Sequence, residues 1–90
     1  MSMSARRVLA ENLIALRRER EWSQETLAFE SGLHRTFVAH VERQARNISL
    51  DNLERLATAL GVQSHELLQP RVAADPRAAK RPKAGRTSAE

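Results

Sequence analysis

The chain has 90 residues, of which 41% are hydrophobic and 29% are charged, and its formal net charge is +4. This length predicts one small domain with a short extension rather than a multidomain enzyme. The chain contains no cysteine, so disulfides, thiolate zinc sites and cysteine nucleophiles are excluded together.

The first thirty residues are predicted to form two helices. The first is expected over about Ser4–Arg20, because apolar residues recur there at helical spacing: Val8, Leu9, Leu13 and Leu16. Ser23 is a suitable N-cap for a short second helix over Gln24–Glu30. Gly32 follows at the place where a left-handed residue ends a helix, so we expect a sharp turn there.

A third helix, predicted over His34–Arg43, has two different faces when its residues are placed at 100° intervals. One arc is apolar and holds Phe37, Val38 and Val41. The opposite arc holds Arg35, Thr36, Ala39, His40 and Arg43. The apolar face is expected to pack against the domain, which leaves the other face able to contact a partner.

Two further helices are predicted before residue 70. After a loop over Gln44–Ile48, Ser49 caps a helix over Leu50–Leu60, and Gly61 ends it. Ser64 is expected to open a short last helix through Leu68, which Pro70 stops. No strand candidate is found, so the predicted fold class is all-α with five helices in one domain, residues 1–69.

Residues 70–90 are predicted to be a flexible, disordered basic tail, because their Ala, Pro, Arg and Lys composition buries too little apolar surface to fold. Residues 71–90 carry six cations and two acids, whereas residues 1–70 carry nine of each. The high sequence pI is therefore not by itself evidence that the folded part binds nucleic acid. If DNA is bound, the tail is expected to steepen the salt dependence of binding.

Residues 24–43 follow the plan of a helix-turn-helix, with the small residue Ala28 at the helix crossing and Gly32 in the tight turn. Four segments resemble the XRE family, the phage-repressor type of this motif: Leu13-x-x-Leu16-Arg17, Ser23-Gln24-Glu25-x-Leu27-Ala28, Ser31-Gly32-Leu33 and Val41-Glu42-Arg43. The resemblance covers about residues 5–69. Within the family, residues 33–38 and 46–50 resemble restriction–modification controller proteins. Gln44 stands where the family usually has Gly, so the third helix is expected to end with strain or with a different cap.

The resemblance implies a homodimer that inserts its third helices into successive major grooves of a pseudo-palindromic site on double-stranded DNA. The implied base-contacting residues are Arg35, Thr36, Ala39 and His40. The implied phosphate-contacting residues are Gln24, Arg43, Arg46 and Asn47. Arg35 suits the acceptors of guanine, whereas His40 is equally compatible with an inert surface position.

Three further expectations concern residues away from the DNA. The resemblance implies a structural ion pair between Arg17 and Glu42. Dimer contacts are expected at Leu67 and Leu68, because one layer of core does not fully cover the last short helix. The remaining arginines of the first helix are expected to be solvated: Arg6, Arg7, Arg18 and Arg20.

The leading interpretation is a sequence-specific transcription regulator that is not an enzyme and carries no catalytic residues or cofactor. Two alternatives stay open: the antitoxin of a toxin–antitoxin pair, and a protein-interaction adaptor of the same fold. No metal site or small-molecule ligand is expected, since His34 and His40 lie six residues apart on different sides of a helix. The longest apolar run, residues 13–16, is far shorter than the roughly 20 residues of a membrane span. We therefore expect a cytoplasmic protein.

Overall fold

The structure, a computed structural model, describes residues 4–71. Its elements are α1 (Ala5–Glu19), α2 (Gln24–Ser31), α3 (Arg35–Glu42), α4 (Leu50–Leu60) and a 3-10 helix (Ser64–Leu68). No strand occurs within residues 4–71, and no helix there is both long and apolar enough to cross a membrane. The predicted all-α class is confirmed. The predicted tail lies outside the described residues from residue 72 onward.

The fifth predicted helix is not an α-helix. Its hydrogen bonds join residues three apart: the Glu66 N–H donates to the Gln63 carbonyl at 3.0 Å, and the Gln69 N–H donates to the Glu66 carbonyl at 3.3 Å. Short pieces of chain commonly take this tighter form, and Pro70 prevents its extension. In place of the five predicted helices, residues 4–71 form four α-helices and one 3-10 helix.

Serine side chains cap three of the four α-helices. Ser4, Ser23 and Ser49 each accept a hydrogen bond from the backbone N–H three residues further on, at 3.0–3.1 Å. These bonds satisfy N–H groups that have no partner inside the helix. The predicted caps at Ser23 and Ser49 are confirmed, whereas His34 precedes α3 without a side-chain cap.

All four α-helices end in the same backbone arrangement. Each is followed by a residue with positive φ: Glu21 (59°), Gly32 (73°), Gln44 (63°) and Gly61 (74°). After α3, the Gln44 N–H donates to the Val41 carbonyl at 3.0 Å and the Ala45 N–H to the His40 carbonyl at 2.8 Å. This pair of bonds is the Schellman motif, which favours glycine at its left-handed residue. The expected strain at Gln44 is confirmed, because this residue adopts that conformation with a side chain.

Gln44→Gly is expected to stabilise the domain. A side chain in the left-handed region costs roughly 1–2 kcal/mol, of which the greater freedom of glycine in the unfolded chain offsets a part. We expect a gain of about 1 kcal/mol, or roughly 4–8 °C in melting temperature for a domain of this size. Gln69→Gly is the control, because Gln69 has a φ of −96°. A gain from both variants, or from neither, would contradict this interpretation of Gln44.

The core lies where the four α-helices meet the 3-10 helix. α1 packs against α3 and the 3-10 helix, and α2 packs against α3 and α4. The largest apolar side chains with less than 2% exposure are Leu13, Leu27, Val38, Val41, Leu56, Leu60 and Leu67. Every helix contributes to this set, so the α-helices and the 3-10 helix share one core.

Two residues at the C-terminal end of the domain differ in their exposure. Leu67 is 0% exposed and belongs to the core, whereas Leu68 is 41% exposed. Successive residues of a short helix point in different directions, so only one of them faces inward. The prediction that Leu67 makes dimer contacts is therefore wrong, because its side chain is already covered within one subunit.

Asn12 attaches the 3-10 helix to α1. Its side chain is 2% exposed, and its Nδ2 donates to the carbonyls of Leu67 at 2.7 Å and Gln69 at 2.9 Å, with the Glu66 carbonyl at 3.4 Å. The carbonyls of Leu67 and Gln69 lie at the end of a helix, where backbone donors run out. A buried amide therefore supplies the missing donors.

Arg20 joins the ends of α1 and α4. Its guanidinium donates to the carbonyl of Leu16 at 2.9 Å and also to the carbonyl of Leu60. The side chain is half-buried, so the expectation that Arg20 is a solvated charge is wrong. Basic side chains suit this position because carbonyls at helix C-termini carry partial negative charge.

Candidate nucleic-acid interface

The turn between α2 and α3 sets the angle between the two helices. Gly32 has φ 73°, and the Leu33 N–H donates to the Ala28 carbonyl at 2.9 Å. A Cβ on Gly32 would lie 3.3 Å from an Arg55 guanidinium nitrogen at the end of a flexible side chain. Backbone conformation more than space therefore makes glycine suitable here. Ala28, at 4% exposure, lets the two helices approach closely.

α3 turns one face inward and the other outward. Val38 and Val41 are 0% exposed, and Phe37 is partly buried against the same core. The predicted base-contacting residues divide into two groups: Arg35 and Thr36 are exposed in the first turn of the helix, and Ala39 and His40 are half-buried one turn later. The outward face is thus most accessible at the start of α3.

Arg17 of α1 and Glu42, the last residue of α3, form a largely buried ion pair. The Arg17 Nε donates to Glu42 Oε2 at 2.9 Å, and its Nη2 donates to Oε1 at 3.0 Å. The two side chains are 13% and 3% exposed. Arg17 Nη1 also donates to the Trp22 carbonyl at 2.9 Å. The two parallel bonds between Arg17 and Glu42 fix the end of α3 to α1. The bond to Trp22 attaches the same arginine to the segment that leads into α2.

Gln24 completes this buried network. Its Nε2 donates to Glu42 Oε1 at 2.8 Å, and the side chain is half-buried. One amide hydrogen is thereby used within the protein. The predicted phosphate contact of Gln24 accordingly depends on the second amide hydrogen or on the backbone N–H at the start of α2.

The segment after α3 carries the other predicted phosphate-contacting residues. Arg43, Arg46 and Asn47 are all exposed. The guanidinium carbon of Arg46 lies 5.8 Å from the centroid of the Phe37 ring, so the loop folds back beside α3. Asn47 accepts a hydrogen bond through its Oδ1 from Nη2 of Arg6 at the start of α1.

Arg6 is the residue of this region that the sequence interpretation missed. It was expected to be solvated on α1, but it contacts Asn47 across a separation of 41 residues. Its neighbour Arg7 instead pairs with Glu11 one helical turn away, with Nε 3.0 Å from Oε2. The sequence contains a local signal for the Arg7 pair, which has i, i+4 spacing. It contains none for the Arg6 contact.

A helix-turn-helix family model matches more than half of the chain. Residues 13–67 match the HTH_3 family model, described as Helix-turn-helix. The chain is 51% identical over 65 residues to a protein described as a Neisseria hypothetical transcription factor, from Neisseria meningitidis serogroup B. It is 59% identical over 46 residues to Control protein C.BamHI of Bacillus amyloliquefaciens.

These matches cover only parts of the relatives. The Neisseria match spans 72% of this chain and 61% of that protein, and the C.BamHI match spans 51% and 57%. The chain therefore spans about three fifths of the length of these two relatives. Among solved structures, the restriction-modification controller protein C.AhdI from Aeromonas hydrophila aligns with a TM-score of 0.66 at 48% identity. That alignment covers 69% of this chain and 94% of the other.

Proposed function

Because this chain belongs to the XRE-type helix-turn-helix family of transcription regulators, we propose that it acts as a homodimer that binds a pseudo-palindromic operator in a sequence-specific manner. The observation that carries this proposal is the division of α3 into a buried face and an exposed face that begins with Arg35 and Thr36. The names of the relatives, a transcription factor and a control protein, support a regulatory role.

Different side chains are proposed to read the sequence and to hold the backbone. Arg35 and Thr36 lie in the first turn of α3, which enters the major groove first, and the planar fork of Arg35 can meet two acceptors on one guanine. Ala39 and His40 follow one turn later, where their half-buried side chains allow shallower contacts. The proposed phosphate-contacting residues are Gln24, Arg43, Arg46 and Asn47.

Arg35→Ala is expected to reduce sequence discrimination. Losing a bidentate contact to guanine should weaken cognate binding by about 1–3 kcal/mol, or roughly 5- to 150-fold, with little effect on random DNA. Arg46→Ala, the matched control, should weaken binding to both DNAs by a similar factor, because a phosphate contact carries no sequence information. Affinities for a selected operator and for a random duplex, measured at one salt concentration, give the two ratios.

Equal weakening of both DNAs by Arg35→Ala would make Arg35 a phosphate contact. Specificity would then have to come from Thr36, from His40 or from DNA shape. The operator itself can be selected from a random duplex library. A wild-type protein that enriches no sequence would contradict the proposed function and favour a protein-interaction adaptor.

The proposed dimer contact includes Leu68. This side chain is 41% exposed at the end of the 3-10 helix. Burying such apolar surface against a second subunit is favourable, at roughly 25 cal/mol per Å². The exposure of Leu68 therefore supports an interface at the C-terminal end of the domain.

Leu68→Arg is expected to convert the dimer to a monomer at micromolar concentration. The substitution would place an unpaired charge in the proposed apolar contact between the two subunits. Sedimentation velocity measures the change directly. Phe29→Arg is the control, since Phe29 is an exposed apolar residue of α2 (82%) rather than of the C-terminal end. Dissociation by Phe29→Arg alone would move the interface to α2, and a monomeric wild-type protein would contradict the dimer.

A further inference from the structure

Three exposed polar side chains from two distant parts of the chain meet beside α3. They are Arg6 from α1, and Arg46 and Asn47 from the loop between α3 and α4. We refer to these three residues as the α1–loop cluster. Arg46 lies over the ring of Phe37, which belongs to α3 itself. The cluster is therefore attached directly to the helix that is proposed to enter the major groove.

The charges of the cluster are not compensated within the described part of the chain. Three of the ten arginines in residues 4–71 form ion pairs: Arg7 with Glu11, Arg17 with Glu42 and Arg71 with Glu19. No carboxylate of residues 4–71 lies within 4.0 Å of the charged nitrogens of Arg6 or Arg46. Both residues are exposed, and both line the same open groove together with Asn47.

The contact between Arg6 and Asn47 orients the Asn47 amide. Because Arg6 donates to Oδ1, the carbonyl oxygen is occupied, and the Nδ2 group keeps its two hydrogens for another acceptor. An anion accepts hydrogen bonds and is repelled by carbonyl oxygens. Arg6 therefore presents the side of Asn47 that an anion can bind, besides supplying a positive charge of its own.

Resting on the proposed DNA binding, we infer that the α1–loop cluster binds a phosphate of the DNA backbone and that α1 contributes Arg6 to this site. The charge, the donor geometry and the attachment to α3 all fit a phosphate on the strand next to the groove. The contact extends the interface beyond the helix-turn-helix to the first helix of the domain. It fixes register and strengthens binding without reading sequence.

The salt dependence of binding to a random-sequence duplex tests this inference. In a plot of log affinity against log salt concentration, each phosphate contact adds about −0.9 to the slope. Arg6→Ala should therefore make the negative slope shallower by about 0.9. The affinity ratio of wild type to variant would then be about 3.5-fold larger at 50 mM salt than at 200 mM salt. Arg6→Lys should restore most of the slope, because lysine keeps the positive charge.

Arg7→Ala is the matched control. Arg7 is exposed, lies next to Arg6 on α1 and pairs with Glu11, so its removal changes the net charge equally but removes no proposed contact. Equal slopes for Arg6→Ala and Arg7→Ala would overturn the inference. So would a lower melting temperature of Arg6→Ala with an unchanged slope, which would make the Asn47 contact purely structural. Since random DNA is used, failure here is distinguishable from failure of sequence recognition, which the Arg35 ratio reports.

Discussion

Glu42→Ala is expected to lower the free energy of unfolding by about 3–5 kcal/mol, because it removes one member of a buried ion pair and leaves the other without a partner. Arg17 is only 13% exposed on its side chain, and it would lose both of its bonds to Glu42. Gln24 would lose the acceptor of its 2.8 Å bond as well. A domain of this size has about 4–10 kcal/mol of stability in total, so the variant should be close to unfolding.

Urea unfolding monitored by circular dichroism measures this loss, with Glu11→Ala as the control. Glu11 also pairs with an arginine, but the two side chains are 57% and 49% exposed. Exposed pairs of this kind contribute about 0.5 kcal/mol or less. Equal loss of stability from the two variants would mean that solvent screens the Arg17–Glu42 pair in solution.

The double variant Arg17→Met with Glu42→Leu removes the ion pair without leaving an unpaired buried charge. It therefore separates the stabilisation due to the pair from the cost of burying one charge alone. Replacing both partners by apolar side chains of similar volume is often neutral or stabilising. We therefore expect it to be more stable than Glu42→Ala alone. A double variant as unstable as Glu42→Ala would show that the hydrogen bonds to Trp22 and Gln24 hold α3 in position, since both would be lost as well.

The helices could be predicted from the sequence because their determinants are local. A serine cap acts on an N–H three residues away, as at Ser23 and Ser49, and apolar spacing within one helix marks its buried face. Boundaries differed by only a residue or two: α2 continues to Ser31, and α3 begins at Arg35. The short helix over Ser64–Leu68 follows from the sequence, but its 3-10 form does not, because its residues suit either kind of short helix.

The contacts that sequence reasoning missed join residues far apart in the chain. Arg6 bonds Asn47 across 41 residues, Arg20 bonds Leu60 across 40, and Asn12 bonds Leu67 across 55. No spacing rule within one helix reaches such partners, so the sequence pattern predicts solvated arginines at positions 6 and 20 and no role for Asn12. Arg17 and Glu42, 25 residues apart, were paired in advance only through the resemblance to the XRE family.

The candidate interface was partly accessible from sequence for the same reason. The two faces of α3 follow from helical spacing, and Val38 and Val41 are buried as expected. Whether an outward residue is fully exposed depends on its neighbours, and for this reason His40 is half-buried while Arg35 is exposed. The engagement of Gln24 with Glu42 likewise depends on how α2 meets α3.

Asn12→Asp is expected to destabilise the domain by at least about 3 kcal/mol at neutral pH, although the two side chains have nearly the same shape. Asn12 Nδ2 donates to carbonyls at 2.7 and 2.9 Å in a site that is 2% exposed. A carboxylate there would have no hydrogen to donate, would face carbonyl oxygens and would bury an unpaired charge. Asn12→Ala should cost less, about 1–3 kcal/mol, because it only leaves the carbonyls unpaired.

The pH dependence of the Asn12→Asp defect identifies its cause. Burial and nearby carbonyls raise the pKa of a carboxyl group in the folded state above its ordinary value of about 3.9. The defect should therefore be smallest below pH 4, where the group is protonated in both states. It should grow as the pH rises, until the carboxyl also ionises in the folded protein. Thermal unfolding from pH 3 to pH 8, relative to wild type, measures this trend, and Asn12→Ala should not show it.

A loss of stability in Asn12→Asp that is independent of pH would mean that the carboxylate escapes to solvent. The 3-10 helix, which carries Leu68, would then be free to move away from α1, and the proposed dimer should weaken together with the fold.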